Sequence, residues 1–182
     1  SRGTRPLYSV FVSSDDGGNT WTEPRWAHTD RDGHPDIKLG LTLNYLGSGK
    51  CILGDAKRRW FSTDHGVTWG NPVVSPPVPS GDPFGQWHSD LIDRDPQTGQ
   101  VIRMVATGNS HEGEKWPKGT NVAFIRFSKD EGQTWSECIR VPQWHGFSEI
   151  SLVRAQNGDL VASCRRFPPA WYGGDFDNFA GM

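Results

Sequence analysis

A chain of 182 residues is long enough for one domain with a real core. Lys and Arg total 19 against 21 Asp and Glu, and the net charge of −2 gives no reason to expect a nucleic-acid partner. No run approaches the ~18 consecutive apolar residues of a membrane helix. The cysteines, Cys51, Cys138 and Cys164, are odd in number and lack CxxC spacing, so they read as buried thiols rather than a disulfide or zinc framework.

The chain opens on SRGTRP without a methionine and closes on DNFAGM, with no signal peptide, and it reads as cut at both ends. YSVFVSS (Tyr8 to Ser14) is the first β-rich run; it enters the turn SDDGGNTW, and WTEPRW returns as far as a proline. LGLTLNYL, the turn GSG and KCILGDA predict a hairpin. KRRWFS, the turn STDHGVTW and WGNPVV predict another. SDLIDRD, PQTG and QVIRMVATG follow in the same manner, then NVAFIRFS, SKDEGQTW and WSECIRVP. EISLVRA, QNG and DLVASCRR make the last pair. Long helical periodicity is absent, so the expectation is an all-β chain.

Three of these turns share one template, S-x-D-x-G-x-T-W, at 14–21, 62–69 and 128–135. His65 in the second copy is not part of it, so the Ser62, Asp64, His65 run is scaffold rather than catalytic machinery. An aspartate there accepts hydrogen bonds from backbone N–H groups across the bend. The glycine supplies a backbone angle closed to other residues. The tryptophan carries apolar surface that packs inward to pin the hairpin onto its neighbour.

The recurring unit is four strands with the aspartate motif at the third turn, the pattern of β-propeller blades. The motif resembles the Asp-box, or BNR repeat, of the sialidase (neuraminidase) superfamily, whose fold is a six-bladed β-propeller. The resemblance spans nearly the whole of 1–182, taken as one partial propeller domain: part of blade one, blades two and three, and half of blade four. It implies that Asp16, Asp64 and Asp130 are turn-makers on the outer rim, away from the ligand pocket.

SEISLVRAQNGDLVASCRR (Ser148 to Arg166) resembles the sialidase segment in which a glutamate opens an inner strand and an arginine closes the next. The family's substrate carries a carboxylate on its anomeric carbon, so a carboxylate nucleophile is repelled and a tyrosine serves instead. A phenol with a pKa near ~10 needs a base beside it. The resemblance gives that catalytic role to Glu149, and to Arg165 a place among three arginines gripping the substrate carboxylate. A two-residue turn at Asn157-Gly158 places residue 149 opposite Arg166. A three-residue turn with Gly158 left-handed places it opposite Arg165. Family spacing favours Arg165, with Arg166 the alternative.

Further substrate-binding candidates follow from strand starts and adjoining loops. Asp36, in GHPDIKL, opens the inner strand of the second blade; Trp87, His88 and Asp90, in GQWHSDL, open the next. Asn109, His111 and Glu112 fall in the loop after its second strand, and Trp171 and Tyr172 follow Arg166. GSGK at 47–50 lacks the glycine and Ser/Thr of a P-loop, HEGEK at 111–115 lacks a second histidine for zinc, and DRDGHPD is no EF-hand. No metal or cofactor is implied.

The resemblance thus implies a fragment of an exo-α-sialidase-like glycoside hydrolase. Its glycan substrate carries terminal sialic acid or a related acidic sugar, cleaved with retention. The family's nucleophile tyrosine then lies beyond Met182, and the chain alone is expected to be inactive. The alternatives are a non-catalytic carbohydrate- or protein-binding Asp-box propeller and a same-fold hydrolase of another sugar. The resemblance is compatible with a secreted or periplasmic location, which the sequence does not fix.

Overall fold

The computed structural model describes residues 8–29, 32–37, 41–112 and 120–166. Their strands form four antiparallel sheets in chain order, none closed into a barrel. Sheet I is β1 (Val10–Phe11) with β2 (Arg25–Trp26). Sheet II runs β3 (Thr42–Gly47), β4 (Lys50–Gly54), β5 (Arg58–Ser62) and β6 (Val73–Val74). Sheet III runs β7 (Leu91–Arg94), β8 (Val101–Glu112), β9 (Thr120–Ser128) and β10 (Ile139–Arg140). After a short 3-10 turn at Pro142–Trp144, sheet IV pairs β11 (Phe147–Arg154) with β12 (Leu160–Arg166).

The expected all-β class is therefore the observed one, and every strand pairs with its sequence neighbour. One boundary differs: β8 reaches Glu112, so Asn109 and His111 sit on a strand instead of a loop. The extension is held by the long pairing of β8 with β9, which runs from Met104↔Ser128 to Glu112↔Thr120. No helix among the described residues is long and apolar enough to cross a membrane. Cys51 is buried while Cys138 and Cys164 are only half-buried, and all three thiols are free.

The three S-x-D-x-G-x-T-W turns are built alike. In the second, Asp64 accepts from Thr68 N–H at 2.9 Å, Thr68 Oγ1 at 2.5 Å and Ser62 Oγ at 2.8 Å. Ser62 Oγ in turn accepts from Gly66 N–H at 2.9 Å. The same bonds recur around Asp16 and Asp130. Two successive residues are left-handed in each copy, so the constraint extends past the template glycine to the residue before it. His65 and Glu131 hold φ of +60 and +56 there, next to Gly66 and Gly132 at +77 and +81. A non-glycine residue accepts that conformation only where surrounding bonds enforce it.

These bonds, Thr68 foremost, pull the Asp64 pKa from its ordinary 3.8 down to about 2. A carboxylate depressed by folding stabilises the folded state above its unfolded pKa and loses that contribution as pH falls toward the folded value. The second turn should therefore loosen between about pH 4 and about pH 2. Its read-out is the Thr68 amide resonance, followed through an acid titration. A Thr68→Val chain, lacking the hydroxyl bond, should titrate at higher pH. Identical midpoints in the two chains would refute the hydroxyl's share.

Successive sheets pack on one another. Ala27, Ile37, Leu53 and Trp60 fill the space between sheets I and II, with Phe11 stacked on Trp69 at 5.4 Å. Leu46, Ile52 and Met104 join sheets II and III, against Trp135. Val78, Phe84, Ala106, Val122 and Phe124 complete the core of sheet III. The inward packing expected of the template tryptophans holds for Trp69 and Trp135. It fails for Trp21, which is 62% exposed because no described sheet lies beyond sheet I to cover it. Polar clamps also cross between sheets: Arg154 on β11 holds Asp93 on β7 through Nε and Nη2 at 2.6 and 2.8 Å.

Candidate functional site

The turn between β11 and β12 sets the register of the site. Ala155 N–H bonds Asp159 O and Gly158 N–H bonds Ala155 O, both at 2.9 Å, leaving Gln156, Asn157 and Gly158 as the turn. Gly158 adopts φ +92, the left-handed conformation a three-residue turn requires. Of the two registers open on sequence grounds, this one aligns Ile150 with Cys164 and so brings residue 149 level with residue 165. A bulge between Phe147 and Ile150 then leaves Arg166 facing Phe147. The Arg166 side chain lies outside the described part of the chain.

Arg165 Nη1 donates to Glu149 Oε1 at 2.6 Å. The two side chains are 57% and 31% exposed. An ion pair that open to water adds only ~0–1 kcal/mol to stability. The pair forms one wall of a cleft of about 350 Å³. Trp87, Asn109, His111, Asn121 and Ser148 form the rest. The cleft sits where β9 and β11 begin and β12 ends, at the opposite end of β9 from the 128–135 turn. Chemically it offers a carboxylate, a guanidinium, an imidazole, two amides, a hydroxyl and an indole face.

The structure thus brings Trp87, His111, Glu149 and Arg165 together, along with Asn109. Sequence reading missed Asn121 and Ser148. Asn121 pairs with His111 across β8 and β9, so counting strand partners back from the SKDEGQTW turn finds it. Ser148 adjoins Glu149 and enters the same wall where the bulge interrupts strict alternation.

Three candidates stand elsewhere. Asp36 precedes β3 by several residues; its Oδ1 lies 2.7 Å from His28 Nδ1, and its carbonyl accepts from Arg58. That pairing fixes the segment ahead of sheet II. His88 does not line the cleft; its carbonyl accepts from Gln86 Nε2 at 3.0 Å. Asp90 is buried between sheets II and III, bonded to Asn44 Nδ2 at 3.0 Å and Gln86 Nε2 at 2.5 Å. Gln86 Oε1 accepts from Arg59, so the amide relays between carboxylate and guanidinium. Arg59 and Arg126 are buried too, with Cζ atoms 4.1 and 4.9 Å from the Trp135 ring centre. Burial pushes the Asp90 carboxyl up, against the pull of Arg59, Gln86, Arg126 and Asn44. Burial likewise pushes Arg126 down to about 9. Asp90 is a buried carboxylate facing Arg59 and Arg126, and it does not line the cleft. Tyr172 and Trp171 lie outside the described residues.

A wider groove of about 790 Å³ runs along the other end of sheets III and IV, past Arg94, Arg103 and Arg154. Its guanidiniums are engaged by the protein: Arg94 by the carbonyls of Tyr45, Leu46 and Gly99, Arg103 and Arg154 by Asp93. Among the described residues no group of three or more His, Cys, Asp or Glu is placed to hold a metal.

No family model and no curated protein matches the chain. A crystal structure of a protein of unknown function from Dyadobacter fermentans DSM 18053 is similar to it, with a TM-score of 0.63 at 21% identity. The match covers 87% of this chain and 51% of that one, so the chain spans about half the length of that protein. At this identity the likeness concerns the fold alone.

Proposed function

We propose that the four sheets are consecutive blades of a six-bladed propeller of the sialidase type, with the Glu149–Arg165 cleft as its glycan site. Two complete four-stranded meanders flanked by two partial ones, with one template turn joining the last two strands of each complete meander, support the blade reading. The site acts as an exo-glycoside hydrolase on a terminal sialic acid or related acidic sugar. Glu149 takes the proton from a tyrosine hydroxyl as that oxygen bonds the anomeric carbon. The glycosidic C–O bond breaks, and the aglycone oxygen leaves with a proton from an acid outside these residues. Water then displaces the tyrosine, while Arg165 holds the sugar carboxylate. The described tyrosines, Tyr8 and Tyr45, do not line the cleft. The nucleophile belongs to the part of the protein that shares the site from outside these residues.

The observation that carries this reading is the 2.6 Å Glu149–Arg165 contact at the mouth of a cleft, in a pair too exposed to be explained by stability. The test is release of a fluorophore from a sialoside by the full-length protein. Arg165→Ala should raise KM about tenfold or more, since a charge-assisted carboxylate contact is lost. A parent protein without sialoside turnover would overturn the hydrolase reading. A second reading, a glycan-binding propeller without catalysis, is favoured by one feature: the charge of Arg165 is already met by Glu149.

A further inference from the structure

We propose that the exposed face of Trp87 is a stacking platform for an uncharged pyranose ring, so that the cleft holds its glycan through a neutral sugar independently of the Glu149–Arg165 pair. The inference rests on reading this cleft as a glycan site. Trp87 is 46% exposed, a large apolar surface left in water at the rim of the cleft. It is nonetheless fixed. Its Nε1–H donates to Asn109 Oδ1 at 3.0 Å, directing the one polar atom of the indole into the protein. Asn109 is itself immobilised, exchanging backbone hydrogen bonds of 2.9 Å with Gly85 in both directions. That approach requires glycine, since a Cβ at 85 would lie 2.8 Å from Asn109 O. A ring already held in position loses little freedom when a ligand stacks on it.

What the ring leaves to solvent is a plane of carbon, which suits the C–H face of a pyranose and gives no partner to an anion. The polar groups around it are those a hydroxylated rim uses: the Asn121 amide, the second carboxylate oxygen of Glu149, and Ser148. The Ser148 hydroxyl is buried in the cleft wall with no hydrogen-bond partner of its own. Glu149 and Arg165 cancel in charge, so the wall they form does not demand an ionic ligand. The ligand class is a neutral hexopyranoside, alone or as a residue of a larger glycan.

The test titrates methyl β-galactoside and methyl β-glucoside into the full-length protein, following saturation-transfer NMR and tryptophan fluorescence. Binding of at least one is expected. It should weaken about tenfold or more in Trp87→Ala and much less in Trp87→Phe, which keeps an aromatic face. Circular dichroism confirms that each variant is folded. No binding of either glycoside to the parent, or equal binding by Trp87→Ala, overturns the proposal. Glycoside binding through Trp87 in a protein that leaves sialosides intact sustains it while removing the hydrolase reading. Sialoside turnover with KM unchanged in Trp87→Ala overturns it while sustaining that reading.

Discussion

Asp90→Ala should lower the free energy of unfolding by about 3–5 kcal/mol, the range for removing one partner from a buried charge network. The substitution takes the carboxylate acceptor from Asn44 Nδ2 and from Gln86 Nε2, which keeps only the His88 carbonyl. It also leaves Arg59 and Arg126, at 4% and 1% exposure, without the carboxylate that offsets them. Arg59 Nη1 and Arg126 Nε already lack hydrogen-bond partners, so the site has no spare acceptor to take over. Stacking on Trp135 compensates only partly, because a cation–π contact is worth ~0.5–2 kcal/mol. Asp90→Asn, which keeps an acceptor oxygen at the same place, should fall between the two. Urea unfolding followed by tryptophan fluorescence measures all three chains. A loss below about 1 kcal/mol in Asp90→Ala would show that the two guanidiniums do not need the carboxylate.

Glu149→Gln should reduce sialoside turnover by the full-length protein about 10²- to 10⁴-fold, the usual contribution of a positioned general base. Glutamine keeps an oxygen that accepts from Arg165, so the β11–β12 register and the cleft wall survive. What it cannot do is accept a proton from a phenol, and an un-ionised tyrosine is a weak nucleophile. Because the pair is exposed, stability should change by less than about 1 kcal/mol. That split between turnover and stability is the diagnostic, since a merely structural pair would move neither. Turnover within about a factor of two of the parent would remove Glu149 from the mechanism.

The features legible in the sequence were those decided within a few residues. Ser, Asp, Gly and Thr at fixed spacing satisfy one another inside each turn, so three turns and the strands beside them could be read directly. Gly158 alone left the β11–β12 register open, because a two-residue Asn157-Gly158 turn needs a left-handed glycine as well; what separates the two is that Asn157 is not left-handed. Asp90 and Asp36 could not be read in this way. Each stands near a strand start among polar residues, as a ligand contact would, and its role depends on partners from other segments. For Asp90 these are Asn44 and Gln86; for Asp36, His28 and Arg58. Trp21 shows the converse failure: the template carries a tryptophan, but whether it is covered depends on the neighbouring sheet.

The completeness of each S-x-D-x-G-x-T-W turn bears on how the chain acquires its shape. Every strand pairs with the one just before or after it, and the tightest bends hold themselves closed with their own side chains. Closing such short loops loses little chain entropy. Each sheet can therefore assemble as soon as its own residues are available and serve as a template for the next. The local turns thus offer each sheet a starting point that needs no distant partner.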